Sequence, residues 1–233
     1  MSSSAAAELA RQLARARSLH DERAASPALA AELDRLAAWQ TRRIDTSYAD
    51  LARQPRYAPA IAFFQTDLYG AGDFSRRDAD LARVVPLMSR VLPEGVITTV
   101  AKAMELSVLS HELDRRMVAR LDPGAPLTAE SYGQVFRALG NRGERMRQIA
   151  LIGEVGRSLD RYVHKPMLFS TLVAMRRPAR AAGMGELQAF LERGFTAFRA
   201  MHGADEFLAT IDARETALMD ALFAGGSPVP PAP

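Results

Sequence analysis

Four histidines bound the acid–base and metal chemistry open to this chain, because imidazole is the side chain whose ordinary pKa lies near neutrality. His111-Glu112 opens like the helical H-E-x-x-H of zinc hydrolases, but Arg115 stands where the second histidine would be. Glu105 and Glu112 are seven apart and share a helix face, whereas His111 is six from Glu105 and projects elsewhere. Asp160 and His164 stand at i, i+4, a spacing that suits a shared metal or a carboxylate orienting a general base. His164 also falls at a helix end before Pro166, where the macrodipole stabilises a cation, and the capping role is the reading adopted. His20 and His202 lie at expected helix ends and are read the same way. No metal or other cofactor is expected; the residues that would supply a metal site are Glu105, His111, Glu112, Asp160 and His164.

On a helical wheel Thr98, Lys102, Glu105, Glu112 and Arg116 make one polar stripe. Glu112 precedes Arg116 in the favourable i, i+4 order and Lys102 reaches Glu105, so the carboxylates read as charge-paired along a solvated edge. The rest of that helix is apolar nearly all round, as in a central helix. Other chemistries lack their residues. The absence of cysteine removes thiolate nucleophiles, zinc–thiolate sites and disulfides, and fits a reducing compartment. No glycine-rich phosphate loop and no G-x-S-x-G elbow occurs.

The elements that must position these residues are helical: apolar residues recur at helix period almost from end to end. Expected helices cover roughly 4–20, 27–44, 57–69, 76–91, 94–121, 128–139, 143–164, 167–180, 185–202 and 205–223. Ser26-Pro27 and Thr128 are N-cap signals, Ser75 with Asp78 reads as a capping box, and Asp205 reads as the last cap. Asp122-Pro123-Gly124 and Gly140-Asn141-Arg142-Gly143 are turns. The fold class is all-α, a single-domain bundle of about seven to ten helices over residues 1–224, with a disordered Pro/Gly-rich tail at 225–233.

The chain has 233 residues and a formal net charge of +3, nearly all of its positive charge being arginine. No basic segment followed by an apolar core opens the sequence, and no run approaches the roughly 18 apolar residues of a membrane span. A cytoplasmic protein without a membrane partner is expected. Arg137, Arg142, Arg145 and Arg147 cluster, as do Arg161, Lys165, Arg176, Arg177 and Arg180, but Glu144, Glu154 and Asp160 interrupt them. Solvated arginine faces are therefore preferred to a nucleic-acid groove.

The stretch from Trp39 to Leu121 resembles a bacterial family known by its FFLEELY motif. The text "WQTRRIDTSYADLARQPRYAPAIAFFQTDLYG", continuing "DFSRRDADLARVVPLMSRVLP", carries the resemblance. Phe63-Phe64 and Leu68-Tyr69 match the motif, whereas Gln65-Thr66-Asp67 stands where the motif has Leu-Glu-Glu. Asp67 keeps one acidic position and Thr66 loses the other, so chemistry needing both carboxylates is closed to this chain. The resemblance implies a fold and a motif and no reaction.

Physically, Phe63 and Phe64 should fill the core and Tyr69 should bring a hydroxyl to the turn at Gly70. Arg56, Asp67, Asp73, Arg77, Asp78, Asp80 and Arg83 would surround that corner, with Asp80 and Arg83 neighbours at i, i+3. The corner, Phe63, Phe64, Asp67, Leu68, Tyr69, Arg77, Asp78, Asp80 and Arg83, reads either as a salt-bridge network joining two helices or as a polar pocket for a small charged ligand. The preferred function is a non-enzymatic helical protein that binds a small anionic ligand or a protein partner, possible copies of itself included. The alternative is a haem-oxygenase-like or ferritin-like metal-dependent oxidase, which requires three of Glu105, His111, Glu112, Asp160 and His164 to meet inside the bundle. A third reading is a nucleic-acid accessory factor using the arginines between 137 and 180.

Overall fold

The pairing of two long helices organises the molecule. The computed structural model describes residues 4–68, 78–83 and 93–228, the side chains of Asp67, Leu68 and Pro166 excepted. Helix α6 (Glu94–Val118) carries Glu94 in its first turn and Arg115 and Arg116 in its last, charges that suit its dipole. Helix α8 (Arg142–Val163) lies against it in the opposite direction. The order of the cross-links shows this: Arg116 meets Glu144, Gln148 meets Ser110, Arg147 meets Glu105, and Lys102 meets Glu154.

Around this pair stand α1 (Ser4–Ala25), α2 (Pro27–Ser47), α7 (Ala129–Leu139) and α12 (Asp205–Phe223). Helix α1 packs on α6 through Leu9, Leu13, Ala16 and Leu19 against Ile97, Ala101, Met104 and Val108. These apolar positions recur every three or four residues on both helices, the spacing that makes a continuous buried stripe. A third apolar cluster joins α2, α6, α7 and α12, where Trp39 stacks on Tyr132 with centroids 4.1 Å apart. The remaining elements are α3 (Ala49–Ala52), α4 (Ala58–Phe63), the helical residues 78–83 (α5), α9 (Pro166–Ala174), α10 (Arg176–Ala181) and α11 (Gly185–Ala200). No strand occurs among the described residues.

Glycines allow two of the close approaches. A Cβ on Gly194 of α11 would lie 2.9 Å from Phe63, and one on Gly156 of α8 would lie 2.4 Å from Leu208 of α12. The first lets the tip of the Phe63 ring reach a helix backbone, and the second brings α12 down onto α8.

Several expected boundaries shift for identifiable reasons. Ser26 caps α2 as expected, its hydroxyl accepting from the Leu29 amide at 3.2 Å, and Thr128 caps α7 in a reciprocal box with Ser131. Helix α1 continues to Ala25, five residues beyond the expected end, because nothing before Ser26 breaks it. The segment expected as one helix at 57–69 is α4 followed by a π-helical turn, Phe64–Leu68. The one expected at 167–180 divides at Met175, since Pro178 lacks the amide that would bond back into α9. Asp205 does not cap α12: Ala204 occupies that position and Asp205 opens the first turn, where its charge suits the dipole. Ser75 lies outside the described residues. In the 225–233 stretch the chain is described to residue 228, and Pro228 is buried beside Gly133 of α7.

Phe207 of α12 meets the two aromatic residues that flank α4. Phe207 is fully buried between Tyr57 and Phe64. Phe207→Ala is expected to lower the unfolding free energy by about 3–5 kcal/mol in a urea titration. Met167→Ser, at a side chain 82% exposed, should stay within about 0.5 kcal/mol of the wild type. Equal losses in the two variants would contradict this placement of the core.

Candidate functional site

Between α6 and α8 runs a cavity of about 1410 Å³, larger than the roughly 300–1,000 Å³ of most small-molecule sites. One face of α6 lines it: Val96, Val100 and Ala103, then Ser107, Ser110, His111 and Asp114. Spaced at three and four, these residues point the same way, and they turn from apolar to polar along the helix. Antiparallel α8 supplies the matching gradient, Arg145 and Gln148 near its start and Ile152, Val155 and Leu159 further on. The two polar ends coincide, tied by Gln148 Nε2 donating to Ser110 Oγ at 2.8 Å. The cavity is therefore apolar along its length and polar at one end.

Five helices contribute to the polar end. His20 of α1 lies with its Nε2 3.0 Å from Oδ2 of Asp78 on α5, both nearly enclosed. The His111 ring stands edge-on to His20, centroids 5.8 Å apart. His111 Nδ1 lies 2.9 Å from the Ser107 carbonyl oxygen. That oxygen only accepts, so Nδ1 carries the proton and Nε2 keeps its lone pair. Asp114, one turn on, accepts from Gln40 Nε2 of α2 at 2.8 Å. Burial pushes the His111 pKa below the usual imidazole value, against the pull of Asp114, with His20 adding to the depression. Burial likewise raises the Asp114 carboxyl, opposed by the Gln40 bond and by the charges of Arg145 and His111.

Two buried arginines line the cavity and differ in one respect. Arg43 has a carboxylate: Glu215 lies 2.7 Å away and also accepts from the Tyr48 hydroxyl at 2.6 Å. Arg145 has none. Its guanidinium lies over the Phe136 ring at 4.7 Å, and Nη1 donates to Gln148 at 3.3 Å. Nε and Nη2 are buried without a hydrogen-bond partner. An enclosed donor pair on a charged group is costly unless something accepts from it.

Of the expected corner, the side chains of Phe63, Phe64, Asp78, Asp80 and Arg83 are described. Phe63 and Phe64 fill the core and line the cavity. Asp78 faces the cavity as the partner of His20. Asp80 is buried and meets Arg83 at 3.4 Å, with its second oxygen unbonded. The side chains of Asp67 and Leu68, and Tyr69 and Arg77 entirely, lie outside the described residues. Glu105 forms a two-pronged pair with Arg147, both contacts 2.9 Å, and Glu112 meets Arg15 at 2.6 Å and Arg116 at 4.0 Å. Lys102 binds Glu154 at 2.9 Å rather than Glu105, because α8 brings a carboxylate nearer than the helix's own. Asp160 and His164 stand 3.4 Å apart at the end of α8, where His164 is the C-cap residue. Glu105 and Glu112 face away from the cavity that holds His111, so the five residues do not converge. No group of three or more His, Cys, Asp or Glu among the described residues is placed to hold a metal ion.

His20 and Arg145 are the residues that sequence reasoning misplaced. His20 is not a cap; it sits inside α1, five residues before its end, and turns toward Asp78. Arg145 is not part of a solvated face. The i, i+3, i+4, i+7 run of Ser107, Ser110, His111 and Asp114 is the signal that could have located the site, since it puts a polar strip on an otherwise apolar helix.

The depressed His111 pKa has a consequence for stability. The unfolded chain takes up a proton near pH 6.5, whereas the folded chain resists until lower pH, so folding weakens as pH falls through that window. His111 is faced by His20 from α1, Asp78 from α5, Asp114 from its own helix and Arg145 from α8. Urea titrations at about pH 7.5 and about pH 5.5 should show His111→Phe losing roughly 1 kcal/mol less than the wild type between them. An identical loss in both proteins would show that His111 titrates normally.

Comparison with curated proteins and with solved structures finds no match to this chain. A family profile does match, over residues 19–229, a span that takes in His20, Asp78, His111, Asp114 and Arg145. By that match the chain belongs to the family described as domain of unknown function DUF8198.

Proposed function

We propose that this protein is a carrier or sensor that binds an amphipathic organic anion in its central cavity, with the anionic head at Arg145 and the apolar body along α6 and α8. The observation that supports this most is the Arg145 guanidinium, buried at the polar end with Nε and Nη2 unpartnered. A carboxylate or similar head accepts from two such donors at once, a geometry arginine is suited to. Ser110, Gln148 and the free Nε2 of His111 surround the head with further donors and an acceptor. The apolar remainder of the cavity suits a chain or ring system that gains from leaving water.

The resemblance to the FFLEELY-motif family fits this reading. The motif's Phe63 and Phe64 are wall residues of the cavity, so the motif would shape the apolar body of the site and not its chemistry. The position where the motif's first carboxylate is lost, Thr66, lies on the exposed side of its turn, away from the anion's place.

Titration calorimetry with a long-chain fatty acid, and with its methyl ester, tests the reading. The acid should bind and the ester should bind at least roughly tenfold more weakly, since it cannot accept as a charged pair. Arg145→Met should cost the acid a similar factor yet leave the unliganded protein as stable as before or more so, because it removes an uncompensated buried charge. If acid and ester bind alike, or if Arg145→Met unfolds the protein, the anion site is wrong.

A further inference from the structure

The cavity reaches the surface at its apolar end. Met167 and Met175, which bracket α9, and Leu191 on α11 all line it and are also exposed, by 82%, 45% and 45%. Residues that are at once cavity wall and outer surface mark a mouth. Helix α9 is rich in apolar residues, yet none of its described side chains is fully buried. A contiguous apolar rim of this kind on a protein surface marks a contact with something else.

The surroundings of the rim identify that partner by charge. Arg177 and Arg180 on α10 are exposed, and no carboxylate lies within ion-pair distance of either among the described residues. Lys165, just before α9, has only the face of Tyr162 beside its ammonium, at 5.6 Å. Other arginines of the region are engaged, Arg176 with Glu192 and Arg199 over the Phe169 ring. Free cations therefore gather where the apolar side chains are exposed. An apolar strip framed by cations is the pattern of a protein that lies on an anionic lipid surface. A second copy of this chain would bring the same cations against themselves.

We propose that the mouth formed by Met167, Met175 and Leu191 docks on an anionic phospholipid bilayer, with Lys165, Arg177 and Arg180 on the headgroups. This rests on the cavity reading above and extends it to the source of the ligand. Because the polar end lies at the start of α8 and the rim beyond its end, an amphipath leaving the bilayer would enter head first, its tail still directed at the membrane. No described helix is long and apolar enough to cross a membrane, so the contact is peripheral. The expectation of no membrane partner rested on the lack of a spanning segment, which has no bearing on a peripheral contact of this kind.

Co-sedimentation of the full chain with vesicles tests this, using phosphatidylcholine alone and phosphatidylcholine mixed with phosphatidylglycerol. The protein should pellet with the mixed vesicles, far less with the neutral ones, and progressively less as salt rises. Arg177→Gln with Arg180→Gln, and separately Met167→Ser with Met175→Ser, should each weaken the partition roughly tenfold or more, with unchanged thermal melts. Protein left in the supernatant with both vesicle types, or variants that pellet as well as the wild type, would overturn the proposal. So would a dimer in analytical ultracentrifugation that the methionine substitutions abolish, since the rim would then be an interface between copies. Arg145→Met separates the two readings: it should lose the fatty acid in vesicle-free calorimetry and keep its attachment to the mixed vesicles.

Discussion

A charged guanidinium held inside the protein with no ion-pair partner among the described residues is the constraint that the polar end of the cavity has to meet. Burial of a full charge is expensive unless hydrogen bonds and an aromatic face replace the lost water. Arg145 has the Phe136 ring and Gln148 for two of its contacts, and Gln148 is in turn anchored on Ser110. Keeping that arrangement requires α7, which carries Phe136, to sit across the paired ends of α6 and α8. It also requires α1 and α2 to close the far side with His20 and Gln40. Arg43, a few residues along α2 from Gln40, shows what the same fold does with a cation it stabilises fully: Glu215 and Tyr48 are brought from beyond its own stretch of helix to meet in one cluster.

The fold was legible because helical period and caps are local. Ser26, Thr128 and the apolar stripes of α1 and α6 could be read without knowing what they face. The breaks that were missed, at Phe64 and at Met175, depend on a widened turn and on a proline acting from three residues downstream. The charge pairing of Glu105 and Glu112 was legible in kind, but the partners come from α8 and α1, and periodicity along one helix says nothing about its neighbours.

The candidate site was the least legible part, for a physical reason. A polar residue on an amphipathic helix can face water or an internal cavity, and the two look alike in sequence. Arg145 sits among Arg142, Glu144 and Arg147, which do face the surface and pair there, so its burial is invisible until α7 is placed beside it. His20 was obscured by a helix end placed too early. The carboxylate of Asp78, read as part of its own corner, meets a histidine of α1, a partner that the pattern along one segment cannot reveal.

The π-helical turn at Phe64–Leu68 carries a further meaning. A helix adopts such a turn when it must absorb one residue more than its regular winding accommodates. The surplus residue falls where two successive aromatic rings, Phe63 and Phe64, meet edge to face at 6.3 Å and both reach the cavity. In a regular winding, neighbours leave the axis about 100° apart. Seen this way, the widened turn sets the angle between the two rings, and removing one residue from it would swing the chain leaving the turn by that same angle and unseat one ring from the wall.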